Sequence, residues 1–139
     1  MDGPVIRGNT ISIPSDPEYL VAVDDFLEGT LRGFGVDEST IADIAISVTE
    51  IVNNGILHGN KSDASKTVTL TITKDGALIT FVVSDEGTGF DPDSIADPLK
   101  EENLLKQVGR GIFIARSLMD DVSFDIHEGG STVKLEKSV

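Results

Sequence analysis

The sequence predicts an α+β fold, a two-layer sandwich in which a mostly antiparallel sheet carries helices on one face. Two observations predict it. Apolar residues recur at helical spacing in two N-terminal stretches, and several short stretches alternate apolar with polar residues. The chain has 139 residues, of which 39% are hydrophobic, and this is enough for a single buried core. We therefore expect residues 1–139 to form one domain.

The first elements are a short strand and a helix. The strand is predicted over Asn9–Ile13, where a proline follows it. Ser15 or Asp16 can cap the helix. Pro17 is typical of a first helical position, and the helix should run to about Arg32. Its apolar stripe consists of Tyr19, Leu20, Val23, Phe26, Leu27 and Leu31.

A second helix is predicted to begin after Asp37, whose side chain can cap it. The residues of its apolar stripe recur at i, i+3, i+4 and i+7, which indicates a face turned toward the core. They are Ile41, Ile44, Ala45, Val48, Val52 and Ile56. We expect the helix to end near His58, with Gly59 in the left-handed conformation of a C-cap.

Two strands should follow, at Thr67–Thr73 and Ala77–Ser84, joined by a turn at Asp75–Gly76. In the first, valine, leucine and isoleucine alternate with threonines, which indicates one buried and one solvated face. Asp85 lies an even number of residues after the inward-facing residues of the second predicted strand. We therefore expect its side chain at the end of that inward face.

The stretch from Asp85 to Gly111 has no periodicity. It is rich in glycine, proline and charge, and its length is typical of a lid or binding loop, which we place at about Asp91–Val108. A short helix at roughly Gly111–Met119 should follow. Two closing strands, Val122–Ile126 and Thr132–Glu136, are predicted around a turn at Gly129–Gly130.

Composition excludes several classes of function. The formal net charge of −13 disfavours direct binding to nucleic acid or anionic lipid and suits a partner with a basic surface. The absence of cysteine excludes disulfides and thiolate chemistry. We see no apolar run approaching the roughly 20 residues of a membrane span and no secretory leader, so we expect a cytoplasmic protein.

The first candidate functional motif is the end of the second helix. Glu50, Asn54 and His58 are spaced i, i+4 and i+8 and would form one polar ridge. An amide oxygen is a ligand for Mg²⁺, and a carboxylate can orient or deprotonate a nucleophile that attacks a phosphoryl group. A solvent-exposed helix end with a capping asparagine is the alternative. We expect His58 to be structural.

The second motif follows a strand. Asp85 precedes Gly87 and Gly89, and glycines let a backbone pass close to a flat ligand. An aspartate accepts hydrogen bonds only, so it complements the amino group of adenine. An ordinary turn is the alternative.

The third motif is Gly109-Arg110-Gly111, at the predicted start of an apolar helix. Free N–H groups at such a start, together with the positive end of the helix dipole, can bind phosphate. Arg110 either contacts a phosphate or faces solvent as a cation on an acidic protein.

The order of these motifs resembles the three boxes of the gyrase, chaperone, histidine kinase and MutL (GHKL, or Bergerat-fold) ATPase family. The resemblance covers about Ile11–Lys137. The segments Thr49–Asn60 and Gly109–Val122 are most similar to bacterial anti-sigma-factor serine/threonine-protein kinases.

This resemblance implies a role for each motif. Glu50 corresponds to the family's catalytic carboxylate, and Asn54 corresponds to its Mg²⁺-binding asparagine. Asp85 stands at the adenine-binding aspartate. Gly87 and Gly89 would line the adenine pocket. Gly109 and Gly111 would border the phosphates. The segment at about 91–108 corresponds to the ATP lid.

The resemblance also implies ATP and Mg²⁺ as ligands, phosphorylation of a small antagonist protein on serine and sequestration of a sigma factor. Members of the family often form homodimers. One departure is that the centre of the first helix, Leu20–Asp25, carries no Arg or Lys to serve as a basic partner contact. A non-catalytic nucleotide-gated binding module is the alternative function, and intact Glu50 and Asn54 favour the kinase. A histidine kinase is disfavoured because no helical hairpin with a phosphoacceptor histidine is present.

Overall fold

The protein folds into a six-stranded antiparallel sheet with helices packed against it. The structure, a computed structural model, describes residues 3–87, 102–127 and 129–139, with the backbone alone for 102–109 and 126. The strands are β1 Val5–Arg7, β2 Thr10–Pro14, β3 Thr67–Asp75, β4 Leu78–Asp85, β5 Asp121–His127 and β6 Gly130–Ser138. The helices are α1 Leu20–Gly33, α2 Glu38–Asn54 and α3 Glu102–Leu118. A 3₁₀ turn at Pro17–Tyr19 precedes α1, and a π-helical turn at Gly55–Gly59 follows α2.

The strand order across the sheet is β1-β2-β3-β4-β6-β5, and every neighbouring pair is antiparallel. One face of the sheet is buried beneath the helices because buried apolar side chains alternate with more exposed side chains along the central strands β3 and β4. The predicted α+β class, with a sheet covered by helices, is confirmed. The strand β1, with all three residues exposed, was not predicted.

The N-terminal helices begin at polar caps that the sequence indicated. The Asp16 carboxylate accepts a hydrogen bond from the backbone N–H of Glu18 at 3.0 Å. The Asp37 carboxylate accepts one from Thr40 N–H at 3.4 Å and another from the Thr40 hydroxyl at 2.6 Å. The bonds from the N–H groups of Glu18 and Thr40 satisfy backbone donors that a helix start leaves free.

The predicted C-cap at Gly59 is wrong. The chain continues past Asn54 into a π-helical turn, in which the N–H of Asn60 donates to the carbonyl of Gly55 at 2.8 Å. The left-handed residues come later, at Lys61 (φ 52°) and Ser62 (φ 57°). Because a π turn advances each residue by a smaller angle than an α-helix, the equal spacing of Glu50, Asn54 and His58 is not kept.

The predicted start of the third helix is also wrong. The helix α3 begins at Glu102, nine residues before Gly111, so Gly109 and Gly111 lie inside it. Residues 102–108 of the predicted lid therefore belong to a helix, and residues 91–101 lie outside the described part of the chain. Glycine lowers helix propensity without forbidding a helix, and here it does not mark the boundary.

The helical stretch Glu38–Gly59 is long and apolar enough, by length and composition alone, to span a membrane. The sequence did not predict such a stretch. Its apolar residues include Ile44, Val48 and Ile56, which are fully buried against the sheet and the other helices. The central position of this helix in the core accounts for its high hydropathy.

Candidate functional site

The Asp85 side chain lies at the inner end of β4, where the sequence placed it. Its carboxylate is nearly buried, with 9% of the residue exposed. One oxygen accepts a hydrogen bond from Gly87 N–H at 3.0 Å, and the other accepts from the Ser131 hydroxyl at 2.7 Å. A carboxylate has about four lone-pair sites, so further sites remain for a donor on a ligand.

Close backbone approaches form the wall around this carboxylate. A side chain at Gly59 would overlap the Asp85 carboxylate, and one at Gly87 would overlap the carbonyl of Gly59. Gly55 packs against the same strand end, since an added Cβ there would lie 3.7 Å from the Cβ of Asp85. The end of α2 and the end of β4 thus meet at the predicted adenine-binding residue.

The second cluster joins Glu50, Asn54 and Gly111. A Cβ added to Gly111 would lie 3.2 Å from Asn54 Nδ2 and 3.2 Å from Glu50 Oε2, so α3 crosses α2 closely at this point. Asn54 is 4% exposed, whereas Glu50 is half-buried. The structure therefore brings the first and third motifs together.

The amide of Asn54 is incompletely satisfied. Its Nδ2 is buried and has no hydrogen-bond partner among the residues that the structure describes. A buried polar atom without a partner costs about 1–3 kcal/mol, so such atoms often mark a ligand site. Turning the amide end for end would place its oxygen, a ligand for Mg²⁺, at the same point.

The third motif does not lie at the start of a helix, where the sequence predicts it. Gly109 and Gly111 lie within α3, so their N–H groups are not the free donors of a helix start. Arg110 is exposed at this point of the helix. Gly89 lies outside the described residues. The nucleotide-binding roles of these four positions remain predictions.

His58 lies in the π turn and is half-buried, and desolvation lowers its pKa from the usual value. A neutral imidazole near the helix end is consistent with the expected structural role.

Sequence reasoning missed two buried polar residues. Ser131, in β6, faces Asp85 directly across the β4–β6 pair. Asn60 follows the π turn and hydrogen-bonds to three separate segments. The alternation of β6 could have indicated Ser131, because this residue shares the inward parity of Val133 and Leu135.

An open cavity of about 320 Å³ lies beside the wall formed by Gly59. Its lining consists of Gly59, Asn60, Lys61, Asp63 and Lys66. This volume is at the lower end of the range for small-ligand pockets. Among the described residues, no group of three or more His, Cys, Asp or Glu could hold a metal ion.

The sequence is similar to a known domain family over most of its length. Residues 13–137 match the family described as Histidine kinase-like ATPase domain. A curated relative, the Serine-protein kinase RsbW of Listeria monocytogenes serotype 4a (strain HCC23), is 30% identical over 130 residues. The match covers 89% of this chain and 83% of the relative.

Two solved structures share the fold. The first contains the RsbU and RsbW domains of Rv1364c from Mycobacterium tuberculosis, with a TM-score of 0.68 and 20% identity, and the match covers 97% of this chain and 31% of that one. The second is the SiaB-SiaC complex from Pseudomonas aeruginosa, with a TM-score of 0.60 and 14% identity. That match covers 99% of this chain and 92% of the other.

Proposed function

Because this chain belongs to the histidine kinase-like ATPase domain family, we propose that it uses ATP and Mg²⁺ to phosphorylate a serine of a small antagonist protein and that it sequesters a sigma factor. The enzyme class, a serine/threonine-protein kinase, follows from its curated relatives. The substrate, the partner, the metal and the roles of individual side chains are proposals.

One observation supports the proposal above the others. Where α3 crosses α2 at Gly111, a carboxylate, Glu50, and a buried amide, Asn54, lie side by side, and the Asn54 Nδ2 has no hydrogen-bond partner among the described residues. Oxygen ligands and a carboxylate are the groups that phosphoryl transfer needs from a protein, since catalysis there is mostly positioning and charge stabilisation.

Adenine recognition is assigned to Asp85. The exocyclic amino group of adenine would donate to the carboxylate, which already accepts from Ser131 and Gly87. Guanine presents an oxygen at the same ring position, and an acceptor facing an acceptor is unfavourable. The glycine-lined wall allows a flat base to approach the backbone.

The donor set fits Mg²⁺, with Asn54 as the residue that would hold it through its amide oxygen. Mg²⁺ usually keeps several waters and binds one or two protein groups together with substrate phosphates. When bound, it would offset the negative charge of the phosphates. No cluster of carboxylates is required for such a site.

Glu50 is assigned the catalytic role. Its carboxylate, half-buried one helical turn before Asn54, can accept the proton of the attacking serine hydroxyl or orient that hydroxyl. The hydroxyl oxygen would form a bond to the γ-phosphorus, and ADP would leave. Gly109, Arg110 and Gly111 are assigned to the phosphates.

The partners are assigned by chemistry and by similarity. A chain of net charge −13 suits proteins with basic surfaces and disfavours nucleic acid and anionic membranes. One structural neighbour is a chain of the SiaB-SiaC complex. We assign a small antagonist protein, a sigma factor and a second copy of this chain as partners, in the cytoplasm.

The experiment is a transfer assay with γ-labelled ATP, Mg²⁺ and small proteins recovered by affinity capture from the source cells. We expect label on a serine of one captured protein, and transfer slower by about 10²-fold or more with Glu50→Gln. Captured partners whose binding depends on nucleotide, but which accept no phosphate, would favour the alternative of a nucleotide-gated binding module.

A further inference from the structure

Asn60 joins three segments of the sheet through one buried side chain, which is 1% exposed. Its Nδ2 donates to the Ser15 hydroxyl at 2.8 Å and to the Thr67 carbonyl at 2.9 Å. Its Oδ1 accepts from the N–H of Glu86 at 2.9 Å. Three of the four hydrogen bonds available to an amide side chain are therefore made within the chain.

These partners lie at the ends of three neighbouring strands. Ser15 follows β2, Thr67 begins β3, and Glu86 directly follows β4. The Glu86 carboxylate returns to the same point, where it accepts from the hydroxyl of Thr67 at 2.9 Å and from the N–H of that residue. Asn60 is thus the centre of a network at the strand ends beside Asp85.

The hydrogen bond between Asn60 and Glu86 influences the surroundings of the Asp85 carboxylate. Glu86 lies between Asp85 and Gly87, and the N–H of Gly87 donates to one oxygen of the Asp85 carboxylate. Fixing the backbone at Glu86 therefore fixes the direction from which that donor reaches the carboxylate.

The backbone of Asn60 also constrains the glycine that lies against the same carboxylate. Its N–H closes the π turn onto Gly55, and the preceding residue, Gly59, lies against the carboxylate of Asp85. One residue consequently holds both the glycine wall and the strand end that carries Asp85.

We propose that Asn60 is a positioning residue that sets the orientation of the Asp85 carboxylate and thereby the preference of the site for adenine. The proposal rests on the adenine-binding role proposed for Asp85. Asn60 acts through Asp85 and is not assigned a contact with the base. Asparagine suits the position because one planar group supplies two donors and one acceptor, which neither leucine nor aspartate does.

A purely structural role predicts a different outcome. Loss of the network would then lower the stability of the domain and weaken binding of every nucleotide alike. A positioning role predicts a selective loss of affinity, confined to nucleotides whose base carries the amino group. The ratio of two affinities separates these cases, because general weakening cancels in the ratio.

The test measures this ratio by calorimetry on the full chain with Mg²⁺. The two ligands are ATP and the triphosphate of purine riboside, which differs from ATP only in lacking the 6-amino group. Wild type is expected to favour ATP by about 10–100-fold, the range for a hydrogen bond to a charged group. Asn60→Leu, which fills a similar volume without an acceptor, should reduce the preference to less than about threefold.

Two further variants complete the design. Asn60→Ala removes the same acceptor and should give the same loss of preference. Ser15→Ala is the matched control. It breaks one of the three bonds of the Asn60 side chain, together with the bond from the Ser15 hydroxyl to the Lys66 carbonyl, and leaves the bond from Glu86 to Asn60 in place. Ser15→Ala should keep the wild-type ratio, and circular dichroism should show that each variant is folded.

The outcomes separate the two proposals. A wild-type ratio near one would overturn adenine recognition by Asp85. A wild-type preference that persists in both Asn60 variants would overturn the positioning role and leave Asp85 intact. A preference lost equally in Ser15→Ala, or failure of both Asn60 variants to fold, would make Asn60 a residue of general stability and would also overturn it.

Discussion

The hydroxyl of Ser131 donates a 2.7 Å hydrogen bond to Oδ2 of Asp85, across the β4–β6 pair in which these residues are direct partners. Both residues are buried. The bond places a donor on the side of the carboxylate away from Gly87, whose N–H donates to Oδ1. Asp85 is therefore held between two fixed donors, an arrangement that fixes the direction of its carboxylate.

Ser131→Ala should lower both stability and ATP affinity. A hydrogen bond to a charged group contributes about 1.5–3 kcal/mol, and its loss leaves a buried carboxylate less satisfied. Urea denaturation gives the change in the free energy of unfolding, and calorimetry gives the change in affinity. Ser123→Ala, at an exposed position of β5, is the control and should change neither. Equal behaviour of the two variants would contradict the role of Ser131.

Asp85→Asn should weaken ATP binding by about 1–3 kcal/mol or more. The substitution replaces an acceptor-only group with one that can turn a donor toward the amino group of adenine. Calorimetry with ATP and GTP is the measurement. Equal affinities of wild type for ATP and GTP, or an unchanged affinity of Asp85→Asn for ATP, would remove Asp85 from base recognition.

The sequence predicted those elements whose burial follows a regular period. The alternation in β3 and β4 located both strands to within about two residues and placed Asp85 on the inner face. The cap at Asp37 is predictable from the sequence because it depends only on neighbouring residues. The side chain of Asp37 accepts a hydrogen bond from the N–H of Thr40, three residues later.

The features missed by sequence reasoning depend on contacts between distant segments. The π turn at Gly55–Gly59 brings Gly59 against Asp85, which is 26 positions away in the sequence. Asn60 is explained only by partners at Ser15, Thr67 and Glu86. The predicted start of α3 is wrong for a different reason. Gly109 and Gly111 are typical of a helix boundary, but the helix passes through both of them.

Gly111→Ala should impair phosphate transfer although alanine is the better helix former. The added Cβ would lie 3.2 Å from both Asn54 Nδ2 and Glu50 Oε2, so these side chains or α3 must move. A shift of a few tenths of an ångström relieves this contact. Because misplacement of catalytic groups by about 1 Å can cost on the order of a hundredfold in rate, we expect a smaller loss, of about threefold to tenfold, in a single-turnover assay.

The matched control is Gly29→Ala in α1, where nothing lies within 4 Å of an added Cβ. This change should leave transfer unchanged and raise the free energy of unfolding by about 0.5–1 kcal/mol, since a helical alanine replaces a helical glycine. Full activity in Gly111→Ala would show that the close crossing of α2 and α3 is not needed for catalysis.

Asp24 should make stability depend on pH. A hydrogen bond with Glu28, partial burial and the nearby charges of Glu28 and Asp25 raise the pKa of Asp24 from 3.8 to about 6. Because the pKa is higher in the folded state, the stabilisation is fully present below the unfolded value and is lost as pH rises through 6. Asp24→Asn should therefore raise the melting temperature at about pH 8 and change it little at about pH 4.

Asp43→Asn in α2 removes the same charge elsewhere and is the control for this experiment. Thermal scans monitored by circular dichroism at both pH values provide the comparison. If Asp24→Asn gives the same shift at both pH values, or if Asp43→Asn reproduces its pH dependence, the assignment to the Asp24–Glu28 pair is wrong.

Substitutions of Glu50 and of Asn54 should affect different steps, phosphate transfer for Glu50 and binding of Mg-ATP for Asn54. Glu50→Gln keeps the shape of the side chain and loses its basicity, so ATP affinity should be retained while transfer falls by about 10²-fold or more, the range for a general base. Asn54→Ala removes the buried amide whose Nδ2 lacks a described partner, and it should weaken binding of Mg-ATP itself. Asn53→Ala, one position earlier and half-buried, is the matched control. Calorimetry with and without Mg²⁺, together with single-turnover transfer, distinguishes the two effects. If Glu50→Gln transfers phosphate at the wild-type rate, another group must activate the serine, and the catalytic role of Glu50 is wrong.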